Sequence, residues 1–167
     1  MNGGVQGKLG YIYKVILIGD ANVGKTTLVE TYQGNGFDKG YSPTIAPAYT
    51  AITARRDDGT SVTLHVWDTA GSERYQSVSQ LFFRSANVAL VCFASDDHNS
   101  MIKVPEWVRS VKESAPECSI ILVMTKADLI TETQIHEMSA EIEELRQSIH
   151  ATNFVATSSL TQKGLDE

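Results

Sequence analysis

Residues Gly19-Asp20-Ala21-Asn22-Val23-Gly24-Lys25-Thr26 follow an apolar stretch, Val15 to Ile18, and open a helix-forming segment, Lys25 to Gln33. This spelling between a strand and a helix is a phosphate-binding P-loop, and it confines the chain to folds built around one such βα unit. Gly19 and Gly24 let the backbone curl, so that successive N–H groups and the helix N-terminus face one anionic group. Lys25 adds a point charge there, and the hydroxyl of Thr26 is suited to ligate Mg2+. Ala21, Asn22, Val23 and Thr27 complete the cradle. The implied ligand is a nucleotide polyphosphate.

The remaining composition narrows the class of partner. At 167 residues the chain can bury one substantial core without staples, and residues 1–167 read as a single domain. The net charge is −6, and Arg55-Arg56 runs directly into Asp57-Asp58 with no basic block elsewhere. That argues against nucleic acid or an anionic membrane as the main partner. Cys92 and Cys118 make neither a metal spacing nor a disulfide framework, so both read as ordinary thiols in a reducing, cytoplasmic setting. The N-terminus has no signal-peptide core, Asn2 stands where myristoylation needs glycine, and the final Gly-Leu-Asp-Glu is no prenylation box. The expectation is a chain without a membrane anchor of its own.

Strands and helices alternate along the sequence without linker or repeat. Strands are expected near Tyr11–Ile18, Tyr49–Arg55, Ser61–Trp67, Asn87–Phe93, Ile120–Met124 and Asn153–Thr157. The second and third flank Asp58-Gly59, a hairpin signal, so that pair should be antiparallel. Fully apolar runs such as Val88 to Val91 and Ile120 to Val123 suit strands covered on both faces by helices. Ile135, Met138, Ile142, Leu145 and Ile149 mark one buried helix stripe, and another helix should begin near Pro105 and carry Trp107, Val108 and Val111. The fold class is α/β: a doubly wound, mostly parallel six-stranded sheet with one antiparallel hairpin strand. Ligands of such sheets bind in loops at the carboxyl ends of the strands.

Those loops hold the rest of the chemistry. After the third strand, in Trp67-Asp68-Thr69-Ala70-Gly71, Asp68 is placed as the acidic partner of a P-loop Mg2+, and Gly71 can offer a backbone N–H to a terminal phosphate. After the fifth comes Thr125-Lys126-Ala127-Asp128, where a carboxylate can accept from two guanine N–H positions. Adenine presents no such donor pair, so guanine specificity follows.

P-loop, Asp-Thr-Ala-Gly and Thr-Lys-x-Asp, in this order and spacing, resemble a small GTPase of the Ras superfamily over almost the whole chain. Glu73-Arg74-Tyr75, the run Phe82-Phe83-Arg84-Ser85-Ala86 and Trp107 are similar to features of its Rab branch. The resemblance implies a GTP hydrolase that binds GTP and GDP with Mg2+ and serves as a molecular switch in vesicle trafficking. It implies that Phe37 packs on the guanine ring, Tyr41 covers the phosphates, and Thr44 binds Mg2+ and the γ-phosphate, ordering its loop only in the triphosphate state. Ser158-Ser159 would stand where the family's Ser-Ala-Lys loop touches guanine. Exchange factors, activating proteins and effectors would read the surface of Thr44 to Tyr49, Ser72 to Phe82 and Trp67. Tyr49, Trp67 and Phe82 stand where Rab proteins expose an aromatic triad. Catalysis would rest on Lys25, Thr44, Gly71 and position 72.

Four departures from that pattern matter. Ser72 stands where the family has the glutamine that orients the attacking water, and serine is too short to span the same gap, so hydrolysis should be slow. Ala21 replaces a small glycine with little expected effect. Thr125 stands for asparagine and Leu160 for a lysine beside the base, which should loosen the guanine contacts modestly while leaving the Asp128 anchor. The run Thr44-Ile45-Ala46-Pro47-Ala48-Tyr49 departs from the Rab spelling, so effector choice does not carry over.

Two other readings compete with the switch: a scaffold that stays nucleotide-loaded because Ser72 abolished turnover, and a P-loop phosphotransferase. The phosphotransferase would want an arginine-rich lid, and none is visible. Family members end in a helix after the Ser-Ala-Lys loop, whereas Gln162 to Glu167 reads as the start of that helix and stops. The expectation is a domain truncated within its final helix.

Overall fold

A computed structural model of the chain describes residues 10–37, 40, 44–71 and 76–167, with backbone alone over 76–79. Six strands form one sheet: β1 (Tyr11–Ile18), β2 (Ala48–Arg55), β3 (Ser61–Asp68), β4 (Val88–Ala94), β5 (Ser119–Thr125) and β6 (Asn153–Ala156), in the spatial order β2-β3-β1-β4-β5-β6. All neighbours are parallel except β2 and β3, whose register runs from Ala48 opposite Asp68 to Arg55 opposite Ser61. The antiparallel pair has a local cause. Gly59 takes the left-handed conformation at φ 79°, and the Asp58 carboxylate accepts from the Thr60 backbone N–H at 2.8 Å and from its hydroxyl. Those bonds hold the Asp58 carboxyl below its usual pKa.

Alternation along β1 sorts the two faces. Ile16 and Ile18 join the larger core, with Phe83, Val91, Phe93, Val104, Val111, Ile120, Leu122 and Met124. Helices α2 (Gln76–Phe83), α4 (Val104–Ser114) and α5 (Glu132–Ser148) supply that side. Val15 and Leu17 face the other way, against Val66 and the Leu28 and Val29 side chains of α1 (Lys25–Tyr32). Cys92 is wholly buried on that side, and burial pushes its thiol up to about 12, so it stays protonated and unreactive at neutral pH.

Helix starts follow their residues. Pro105 sits in the first turn of α4, as its fixed φ favours. Thr131 and Gln134 form a reciprocal capping box on α5, whose stripe buries Ile142, with Ile149 just beyond its end. Two helices have no counterpart in the periodicity: α2, and the five-residue α3 (His98–Ile102), started by Asp97 capping Ser100. Residues 163–166 form turns, in which Gly164 is left-handed at φ 73° and packs so closely on β6 that a Cβ would lie 2.3 Å from the Ala156 carbonyl oxygen.

Candidate nucleotide-binding site

The loop from β1 to α1 is shaped for an anion. Gly19 has φ 140° and lies against β4, where a Cβ would fall 2.2 Å from the Cys92 carbonyl oxygen. Gly24, at φ 91°, turns the chain into α1, and Asn22 is held left-handed at φ 61°, a strain of about 1 kcal/mol or more for a residue with a side chain. The α1 N-terminus has no side-chain cap and no acidic residue in its first turn. Its N–H groups and the positive end of its dipole therefore face outward for a ligand.

Lys25 is only 5% exposed, and its Nζ donates to the carbonyls of Gly19 at 2.9 Å and Asp20 at 2.7 Å. An ammonium has three donors, so one remains for an anion in the loop. Desolvation lowers its pKa, opposed by the nearby carboxylates of Asp68 and Asp20.

Three oxygen donors converge beside it. The Thr26 hydroxyl donates to Asp68 Oδ2 at 2.5 Å and lies 2.7 Å from the Thr44 hydroxyl. Asp68 is 4% exposed, its carboxyl pushed up chiefly by desolvation, and its Oδ1 has no hydrogen-bond partner among the described residues. A buried carboxylate oxygen left open beside two hydroxyls fits a hard divalent cation such as Mg2+. No cluster of three or more His, Cys, Asp or Glu suits a metal among the described residues. A cation here would thus share its shell with water and phosphate oxygens, as Mg2+ prefers. Gly71 closes this corner: a Cβ on it would lie 2.4 Å from the Ala21 nitrogen, so its backbone packs directly on the P-loop.

Farther along the strand ends lies the second corner. Thr125 is buried, and its hydroxyl donates to the Val23 carbonyl of the P-loop, with the Phe93 carbonyl at 3.2 Å as a second acceptor. It braces one loop against the other, a role that spacing did not reveal. Lys126 is left-handed at φ 55° and pairs with Asp96 at 3.6 Å. Asp128 is exposed, and one of its oxygens is fixed by the hydroxyl of buried Ser158 at 2.6 Å. Ser158 is held in turn, accepting from the Thr161 N–H at 3.1 Å and donating its own N–H to the Lys163 carbonyl at 3.0 Å. Ser159 is half-buried beside it, while Leu160 and Phe37 are exposed. Tyr41 and Ser72 lie outside the described residues, as do Glu73, Arg74 and Tyr75.

The three aromatic residues form one chain of rings. Tyr49 and Trp67 have centroids 5.1 Å apart, as do Trp67 and Phe82. Tyr49 is 50% exposed, Trp67 and Phe82 are partly buried, and Lys14 lies over the Trp67 ring at 5.8 Å. The sequence placed Trp107 on a helix beginning near Pro105, and its ring lies in the larger core. That reading missed that the indole N–H reaches Asp20 of the P-loop, 87 residues away, because nothing local signals such a contact.

Comparison with known proteins agrees with this arrangement. The sequence model of the Ras family matches residues 14–167. The chain is 35% identical over 126 residues to the rat "Ras-related protein Rab-19", covering 75% of this chain and 58% of that protein. It is 38% identical over 125 residues to "GTP-binding protein ypt5" of Schizosaccharomyces pombe, covering 74% and 59%. It is 32% identical over 163 residues to the "Rho-related protein racE" of Dictyostelium discoideum, covering 92% and 72%. The matched stretches thus span little more than half of the first two relatives.

Proposed function

The chain belongs to the Ras family of small GTPases, near its Rab branch, and from this premise we propose that it is a Mg2+-dependent switch alternating between GTP and GDP. The observation that carries the reading is the convergence at one end of the sheet of Lys25, the Thr26–Asp68–Thr44 corner and Asp128. Residues 21–27, from the P-loop into the start of α1, take the phosphates; Thr26, Thr44 and Asp68 hold the cation; Asp128, Lys126 and the 158–159 loop take guanine, with Phe37 against its ring. Thr44 and Gly71 follow the γ-phosphate, so that residues 44–49 and the following helix change with nucleotide state. Bound Mg2+ would screen phosphate charge and favour attack by water at the γ-phosphorus.

Effectors, exchange factors and activating proteins would then read the Tyr49, Trp67 and Phe82 surface, and the corresponding cellular role is vesicle trafficking. Ser72 makes unaided hydrolysis slow, which keeps alive a second reading, a nucleotide-loaded scaffold without effective turnover. No helix among the described residues is long and apolar enough to cross a membrane.

The test is to identify the nucleotide released from purified protein and to titrate GTP and ATP. Guanine nucleotide in the protein and a strong preference for GTP are expected. Equal affinities would overturn the assignment. A single-turnover hydrolysis curve separates switch from scaffold.

A further inference from the structure

Asp20 places a carboxylate in the phosphate-binding loop. A carboxylate there repels a polyphosphate unless something turns and neutralises it. Two side chains do so. Trp107 Nε1 donates to Asp20 Oδ1 at 2.9 Å, and Lys103 Nζ meets Asp20 Oδ2 at 2.7 Å. Lys103 and Trp107 lie one turn apart at the start of α4, where the Trp107 N–H also bonds the Lys103 carbonyl. The Trp107 ring is 5% exposed and packed in the larger core, so the donor is carried on a rigid mount. The Asp20 carbonyl accepts from Lys25, and the 20–21 peptide is the surface on which Gly71 packs.

We infer that Trp107 and Lys103 are positioning residues of the nucleotide site: by gripping the Asp20 carboxylate, α4 sets the first turn of the P-loop where it presents its carbonyl to Lys25 and its peptide to Gly71. The inference rests on the nucleotide reading and deepens it. A buried indole needs a hydrogen-bond acceptor, but any nearby carbonyl would serve. A carboxylate on the phosphate loop, with its second oxygen paired to a cation from the same helix turn, is a tether. Lys103 removes the charge that would oppose phosphate, and Trp107 fixes the direction in which the carboxylate points.

The experiment uses the full chain loaded with a fluorescent N-methylanthraniloyl GDP. Loss of a hydrogen bond to a charged group should speed GDP release from Trp107→Phe by about tenfold, equivalent to about 1.4 kcal/mol. Lys103→Met leaves the carboxylate uncompensated and should speed release several-fold. Asp20→Asn in that background keeps an acceptor for the indole but removes the charge, and should return release to near the native rate. A role in packing alone predicts no such rescue. In 15N-labelled protein, Asp20→Ala should shift the Trp107 indole N–H resonance while leaving that of Trp67 in place. If Trp107→Phe does not fold, the Lys103–Asp20 cycle and the indole signal decide. Native release rates in these variants, absence of rescue by Asp20→Asn, or an indole signal indifferent to Asp20→Ala would overturn the inference. A native chain that retains no guanine nucleotide would instead overturn the reading beneath it.

Discussion

The two ends of the site are built differently. At the phosphate end the charged groups are buried: Lys25 is 5% exposed and Asp68 4%, and both are held by backbone carbonyls or hydroxyls. At the base end Asp128 is open to solvent, with a single oxygen secured by Ser158, and Phe37 is 42% exposed. The difference matches what each end would have to recognise on the proposed reading. Phosphate is the same in every nucleotide, so a preorganised cradle of N–H groups and a desolvated ammonium supplies affinity without selectivity. Purine bases differ in the pattern of donors and acceptors on their edges. On the proposed reading, selectivity would fall to one carboxylate, one oxygen of which Ser158 holds in place.

That division can be broken at either end. Lys25→Ala should have the largest effect, lowering affinity for GTP and GDP by at least about 100-fold, or roughly 2.8 kcal/mol, with no change in preference among bases. Isothermal titration with GTP, GDP and xanthosine triphosphate reads this directly, and a base-dependent loss would contradict the division. Asp128→Asn should do the opposite. GTP affinity falls between about ten- and a hundredfold while xanthosine triphosphate binds better, because its carbonyl now faces the amide donor. Loss of affinity for both triphosphates alike would mean that Asp128 acts through the fold.

Ser72→Gln sharpens the comparison at the phosphate end, since it concerns the reaction and leaves the binding groups in place. Ras-type domains hydrolyse GTP unaided at on the order of 10⁻⁴ s⁻¹. The native chain should be slower, and the glutamine should raise single-turnover hydrolysis at least about tenfold, or about 1.4 kcal/mol of barrier, with affinity unchanged. Equal rates in both proteins would remove the significance given to Ser72. Thr125→Val should have the smallest effect on nucleotide affinity, a change of a few-fold. It joins the two ends mechanically, so the stronger signal is in melting. Leaving the Val23 carbonyl without its donor costs about 1–2 kcal/mol and should lower Tm by about 2–8 °C.

How far the sequence could be read follows the range of the forces involved. The P-loop was legible because its function depends on consecutive backbone dihedrals, and Gly19 and Gly24 are where those dihedrals leave the ordinary region. The β2–β3 hairpin was legible because Asp58, Gly59 and Thr60 form the turn among themselves. Helix α5 announced itself by one apolar stripe. Helices α2 and α3 did not: α2 carries too short a stripe to stand out, and α3 is a single capped turn.

Within the candidate site, Lys25, Thr26, Asp68 and Asp128 could be proposed from spacing, since a P-loop strand and its neighbours present their loops at one edge. The tertiary structure alone decided which hydroxyl or carboxylate in those loops meets which partner. Thr125 reaches Val23 across 102 residues, Trp107 reaches Asp20 across 87, and Ser158 holds Asp128 across 30. The same residues at the same sequence positions in a differently ordered sheet would not touch. Strand order, set by the burial of both faces of β1, β4 and β5, brings those loops together, and no local pattern encodes it. The sequence by itself thus determined the chemistry available to the protein, because that chemistry resides in side chains and short backbone turns. Which of those groups brace one another was decided only when the sheet assembled, because a hydrogen bond between distant residues forms only after the core has placed both partners within reach.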